Sequence, residues 1–148
     1  MTAPYRALLA GIALLLVAGP AAALDYRSLA APAVMYDAPS IKAKPLYVIA
    51  RATPVEVVVS LDGWLKVRDS SGSLAWIEAS AVTGQRTVMV EVARAQIRSQ
   101  PQADAPIVFE AEQNVVLTLL DAAPPGWAKV QHSDGQTGYV QVNQVWGL

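Results

Sequence analysis

Hydrophobic and polar positions alternate most clearly between Pro54 and Ile77. Val55, Val57, Val59 and Leu61 take every second position, the period of a strand with one buried face. This phase turns Val57 inward and Glu56 outward, so Glu56→Ala is expected to be nearly neutral. Asp62-Gly63 ends the run, because glycine accepts the positive φ that a tight turn needs. Trp64 to Asp69 then returns, Ser70-Ser71-Gly72 turns again, and Leu74 to Ile77 completes a meander.

The same grammar recurs from Val115 to Val140. Both stretches carry Gly-Trp-x-Lys-Val, then Gly five residues on, then an aromatic-aliphatic pair: Gly63, Gly72 and Trp76-Ile77 in one, Gly126, Gly135 and Tyr139-Val140 in the other. Upstream, Ala33 to Tyr36 with Pro39 is mirrored by Ala95 to Arg98 with Pro101. Ile107 to Phe109 answers Tyr47 to Ile49, and Val115, Leu117 and Leu119 answer Val55, Val57 and Val59. That matching puts three inserted residues into the loop from Asp121 to Gly126. Leu24 to Ala31 reads as a lead-in, Ala79 to Val82 as one helical turn, and Thr83 to Arg86 as the junction. Short strands between Gly, Pro, Asp and Asn turns predict an all-β chain of two tandem small β-barrels, residues 31–84 and 87–146. Units so small bury only about 60% of their unfolded surface. The two are therefore expected to pack against each other.

Part of the 53% hydrophobic content lies outside these units. Arg6, an uncharged run from Ala7 to Ala18 and Ala21-Ala22-Ala23 before Leu24 predict a secretory signal peptide over residues 1–23. An uncleaved anchor is the alternative, but Gly19-Pro20 breaks the segment short of the roughly 20 residues a span needs. The expected compartment is periplasmic or secreted, with cleavage near Ala23/Leu24 and contact with the membrane only through the leader. No cysteine occurs among the 148 residues, so disulfides and thiolate chemistry are excluded. Loss of Arg6 with the leader takes the formal charge from −1 to −2. No basic stripe is left for phosphate backbones, and nucleic acid is not an expected partner.

Candidate chemistry is sparse. The single histidine, His132, precedes Ser133-Asp134, but a triad needs members that converge from separate segments. Alignment with Asp69 to Ser71 makes this a hairpin turn. One histidine without cysteine does not supply the usual zinc ligand sets. Glu110 and Glu112 share a strand face without a partner motif, and no glycine-rich phosphate loop follows a strand. The expectation is no catalysis, no metal and no cofactor.

The aromatic residues are more telling. Trp76 and Tyr139 end matched strands and read as barrel packing. Tyr36, Trp64 and Trp127 stand beside polar turns, where packing and ligand contact are both open. The loop from Tyr36 to Pro45 and the Asp62-Gly63 turn are expected to flank one concave face floored by Trp64. Asp37 and Asp62 there would favour a cationic or amide-rich peptide. Arg98 and Trp127, beside Pro124-Pro125, give the second unit a stiffer rim of opposite charge. The candidate ligand-binding residues are thus Tyr36, Asp37, Asp62, Trp64, Arg98 and Trp127.

The repeat resembles the bacterial Src-homology-3-like (SH3b) domain of exported bacterial proteins. Pro54-Val55-Glu56-Val57, Gly63-Trp64, Val67-Arg68-Asp69, Gly72 and Trp76-Ile77 carry the resemblance in the first copy. Gln96-Ile97-Arg98-Ser99-Gln100-Pro101 is a degraded form of the family's Asn-Val-Arg-x-x-Pro opening in the second. Ala75 replaces the family's usual Gly, and Tyr36 its usual Arg. The resemblance implies two SH3-like barrels that bind rather than catalyse, with an envelope protein or a cell-wall peptide as partner. Direct binding to peptidoglycan is the alternative, and a small hydrolase the remote one.

Overall fold

The computed structural model describes residues 23–121 and 123–148. The expected signal peptide, but for Ala23, lies outside the described residues. Each half of the described chain forms one seven-stranded antiparallel sheet around its own core. The first contains β1 (Asp25–Leu29), β2 (Ala33–Tyr36), β3 (Pro45–Ile49), β4 (Pro54–Leu61), β5 (Trp64–Arg68), β6 (Leu74–Glu78) and β7 (Val82–Thr83), in the order β3-β2-β6-β5-β4-β1-β7. The second contains β8 (Thr87–Val90), β9 (Arg94–Arg98), β10 (Ile107–Glu112), β11 (Val116–Leu119), β12 (Trp127–Gln131), β13 (Thr137–Gln141) and β14 (Val145–Trp146), in the matching order β10-β9-β13-β12-β11-β8-β14. One 3-10 turn precedes each last strand, Ala79–Ala81 and Val142–Gln144. The all-β, tandem-barrel architecture is as the sequence predicts.

Three local expectations are corrected. The lead-in is a strand, since β1 pairs with both β4 and β7. The simple alternation in β4 fails at a bulge: Val57 faces Val67, yet Val59 faces Lys66. One extra residue reverses the facing of the rest of the strand. Val55 is buried, and Val59 and Leu61 are exposed; Glu56, ahead of the bulge, keeps the outer face but is buried there between Tyr26 and Arg68. Glu56 accepts a 2.9 Å bond from Arg68 on β5.

The two copies also align differently. The Ala52 amide donates to the Leu29 carbonyl as that of Asn114 does to Val90, both from left-handed backbone (φ 66 and 70). Val55 therefore matches Leu117, and Val57 matches Leu119, because Val57 faces Val67 as Leu119 faces Val130. The Pro124-Pro125 loop then holds one inserted residue, not three. By the same logic Tyr47, opposite Met35, matches Phe109, opposite Ile97, and Val48 matches Glu110.

Both cores are aliphatic. Leu29, Met35, Val55, Val67 and Ile77 fill the first, and Val88, Ile97, Leu117, Val130 and Val140 are among those filling the second. Between the barrels the contact is aromatic and polar. Tyr26 meets Trp146 edge-on at 5.1 Å, and the Arg86 guanidinium lies 5.6 Å from the Tyr26 ring. Arg86 also donates to the Gly147 carbonyl at 2.6 Å, and Thr87 Oγ1 to the Ala52 carbonyl at 2.6 Å. Ser28 Oγ bonds the Gln85 carbonyl. The buried polar residues Ser28, Glu56 and Thr87 belong to this joint or to the strand pairing behind it. Burial and the Glu56 carboxylate push the Tyr26 phenol above its usual range. The expected packing of one barrel on the other is thus built largely from hydrogen bonds and one stacked cation.

Candidate functional site

All four tryptophans, Trp64, Trp76, Trp127 and Trp146, are half-buried, and none belongs to either core. On β6, Ala75 and Ile77 are buried while Leu74, Trp76 and Glu78 face outward. Neighbouring strands extend that outer face. Tyr36 of β2 lies opposite Trp76, and Trp64 of β5 opposite Glu78. Trp76 and Tyr139, expected as barrel packing, both stand on the outside of their barrels. The alternation around them, with buried neighbours on either side, dictates it.

The structure brings Tyr36 and Trp64 together: their rings meet edge-on, centroids 5.6 Å apart. Such a pair gives flat apolar area with little rotamer freedom to lose. Beside Tyr36 lies a depression of about 270 Å³ bordered by Pro32, Val34, Glu78 and Ser80. Lys66 Nζ sits 6.0 Å from the centre of Trp76, where it covers part of the face with a cation. The β4–β5 turn at Gly63 (φ 75) aims Trp64 along this face, and Asp62 is exposed in that turn.

Asp37 serves its own loop. Its Oδ1 accepts the Lys44 amide at 3.0 Å, and its amide donates to the Lys44 carbonyl. The acidic group that borders the depression is Glu78, which sequence reasoning missed. Its signal was present, two residues after Trp76 on the same strand face. In the second barrel Arg98 matches Tyr36 but is tied down, donating to the Ala105 carbonyl (2.7 Å) and Gln96 Oε1 (2.5 Å). Trp127 opens β12 opposite Gln141, and among the described residues no aromatic ring stacks on it. The aromatic pair of the first barrel is not reproduced. Two shallow clefts of about 420 and 430 Å³ flank the joint and share Gln85 and Thr118. His132 lies in the β12–β13 hairpin, 3.1 Å from Asp134 Oδ1 and with the Phe109 ring 5.6 Å away.

Paired barrels with this strand order and an outer aromatic face define a class of SH3-like binding folds. The bacterial SH3 domain model matches residues 30–84 and again 91–147, and the chain belongs to that family. No curated protein matches. Solved structures with similarity include NlpC2 of Trichomonas vaginalis (19% identity, TM-score 0.38, 85% of this chain and 49% of that one). NlpC1 of the same organism is similar at 19% identity and TM-score 0.39, over 93% and 51% of the two chains. An NlpC/P60 family protein of Bacillus cereus is similar at 15% and 0.39, over 82% and 56%. The chain thus spans about half the length of these proteins. At such identities and TM-scores the likeness carries no argument about activity.

Proposed function

We propose that this chain is an exported, non-catalytic binding module that holds a partner protein's extended peptide segment in the cell envelope. The observation that carries this reading is the placement of the aromatics. A chain with aliphatic cores has put every tryptophan outside them, and has paired Trp64 with Tyr36 beside an open depression. Glu78 and Asp62 give that face an acidic border, suited to a cationic or amide-rich segment. The second barrel, with Arg98 bound into its own loop, supports the first. The leader over residues 1–23 takes the protein to the periplasm or outside the cell, and the lone histidine, in a hairpin against a phenyl ring, takes no part in a reaction.

The test compares Trp64→Ala and Trp127→Ala, each checked for folding by near-ultraviolet circular dichroism, for binding to envelope fractions. Trp64→Ala should bind at least about tenfold more weakly, the loss expected for a buried aromatic anchor, and Trp127→Ala should bind as the parent does. A folded Trp64→Ala protein with parental binding refutes the reading. Co-sedimentation with purified peptidoglycan separates a protein partner from the cell wall itself.

A further inference from the structure

Among the described residues, the first sheet ends on a strand that nothing covers. β3 pairs with β2 on one side only, and Pro45 to Val48 are all exposed. Val48 shows 64% of its surface and Leu46 43%. Tyr47 points the other way, opposite core Met35, with its hydroxyl donating to Asp69 Oδ2 at 3.0 Å. Free strand edges invite pairing with another chain, and proteins usually blunt them with charge. The second barrel does so: Glu110 stands where β3 has Val48, held by Arg94 at 3.5 Å, and Glu112 follows. β3 has no charged residue. Its only blunting device is Pro45 at one end, which leaves Leu46 to Ile49, roughly 13 Å of strand.

The flanks of this edge are basic. The hairpin from Ala33 to Arg51 carries Lys42, Lys44 and Arg51 against Asp37 alone. Among the described residues, none of those three cations lies within ion-pair distance of a carboxylate. A second copy of the chain is a poor occupant, because antiparallel pairing of β3 with itself brings the Lys44 end of each copy beside the Arg51 end of the other. We propose that the free edge of β3 accepts an extended segment of a partner protein as an added strand, apolar at alternate residues and acidic at both ends. The segment continues the sheet outward, its apolar residues beside Val34 and Val48, which face each other across β2 and β3. This rests on the proposed function in taking a partner's peptide segment as the occupant, but it asks for the opposite charge and uses a surface that does not require the Tyr36–Trp64 pair.

The probe is a synthetic peptide alternating valine and threonine with aspartates at both ends, added to the full chain and followed by residue-resolved amide exchange. Exchange should slow along Leu46 to Ile49, while the Trp64 indole resonance stays in place. Val48→Glu, which installs what the second barrel already has, should weaken binding at least about tenfold without altering the melting temperature. Should that variant fail to fold, the double change Lys44→Glu with Arg51→Glu reads the same edge by inverting preference toward a lysine-ended version of the peptide. Equal affinity for both peptides, unchanged binding by Val48→Glu, or shifts centred on Trp64 with β3 unprotected would each overturn the edge proposal. The last of these would leave the aromatic-face reading standing. A dimer abolished by Val48→Glu would also overturn it, by making a second copy the occupant.

Discussion

Tyr47 and Phe109 occupy one place in the two barrels, and Asp69 and His132 another, directly beside it. In the first barrel the phenol donates to the carboxylate at 3.0 Å; in the second the phenyl and imidazole rings meet at 5.6 Å, tilted by 54°. Ala75 and Gly138 are a further matched difference. A Cβ on Gly138 would lie 2.5 Å from Ile97 Cγ2 and 2.7 Å from the Arg98 carbonyl. The first barrel has unbranched Met35 in place of Ile97, and Ala75 is accommodated in the core with it. Neighbours have changed together while topology stayed fixed. The fold asks for an aliphatic inner row and a strand order; the identity of each contact is set by its partner.

The largest expected effect exploits that pairing. Gly138→Ala should destabilise the second barrel by about 3 kcal/mol, since both the branched side chain and the carbonyl must move. The reciprocal Ala75→Gly should cost the first barrel only about 1 kcal/mol, from backbone entropy and a lost methyl. Denaturant midpoints check both. Equal losses would mean that the strands can shift to admit a Cβ in either barrel.

Next comes Glu56, whose match in the second barrel is Thr118. Its side chain is largely buried and its partner Arg68 is 42% exposed. Glu56→Ala should cost roughly 2 kcal/mol, less than a fully buried pair because water reaches the abandoned guanidinium. Thr118→Ala should cost about 0.5 kcal/mol. Chemical denaturation of the two variants decides whether the covered Glu56–Arg68 pair carries that difference.

The smallest effect separates the barrels by pH. Burial, then the bond to Asp69, raise the Tyr47 phenol from 10.0 to about 12. The folded state thus holds the proton more tightly, so this contribution is full below pH 10.0 and lost as the pH climbs to about 12. With Tyr47 37% exposed, the loss should stay below about 1 kcal/mol. Tyr47→Phe should remove that part of the alkaline dependence in melts between these two pH values, and an unchanged alkaline profile would contradict it.

The repeat, the all-β class and the central meander were legible because period-2 runs, Gly turns and a doubled Gly-Trp-x-Lys-Val pattern each speak locally. Tyr36 and Trp64 could be nominated together because each borders a polar turn. What escaped was non-local. A bulge at Val58 leaves no mark in a valine run, so Val59 and Leu61 were given the wrong face, and the copies were matched two residues out. Glu56 does face outward, but its cover by Tyr26 and Arg68 was not visible in the sequence. Trp76 looked like core because its size suggests burial, although alternation between Ala75 and Ile77 already pointed it outward. Glu78 was overlooked because a single carboxylate gains meaning only from the strand beside it. The loop-closing bond of Asp37 to the Lys44 amide was not foreseen, because sequence spacing does not reveal it.

The Tyr26–Trp146 contact has a consequence for avidity. Two modules on a floppy tether search for their second site through a cloud of orientations, and effective concentration falls as the tether lengthens. Here Arg86, packed on Tyr26 and bonded to Gly147, binds the end of the second barrel to the start of the first. A ligand long enough to touch both outer faces would meet them at a set separation, with little orientational entropy left to lose. Loosening this joint would leave the first barrel's face intact but remove the fixed neighbour beside which a long ligand has to lie.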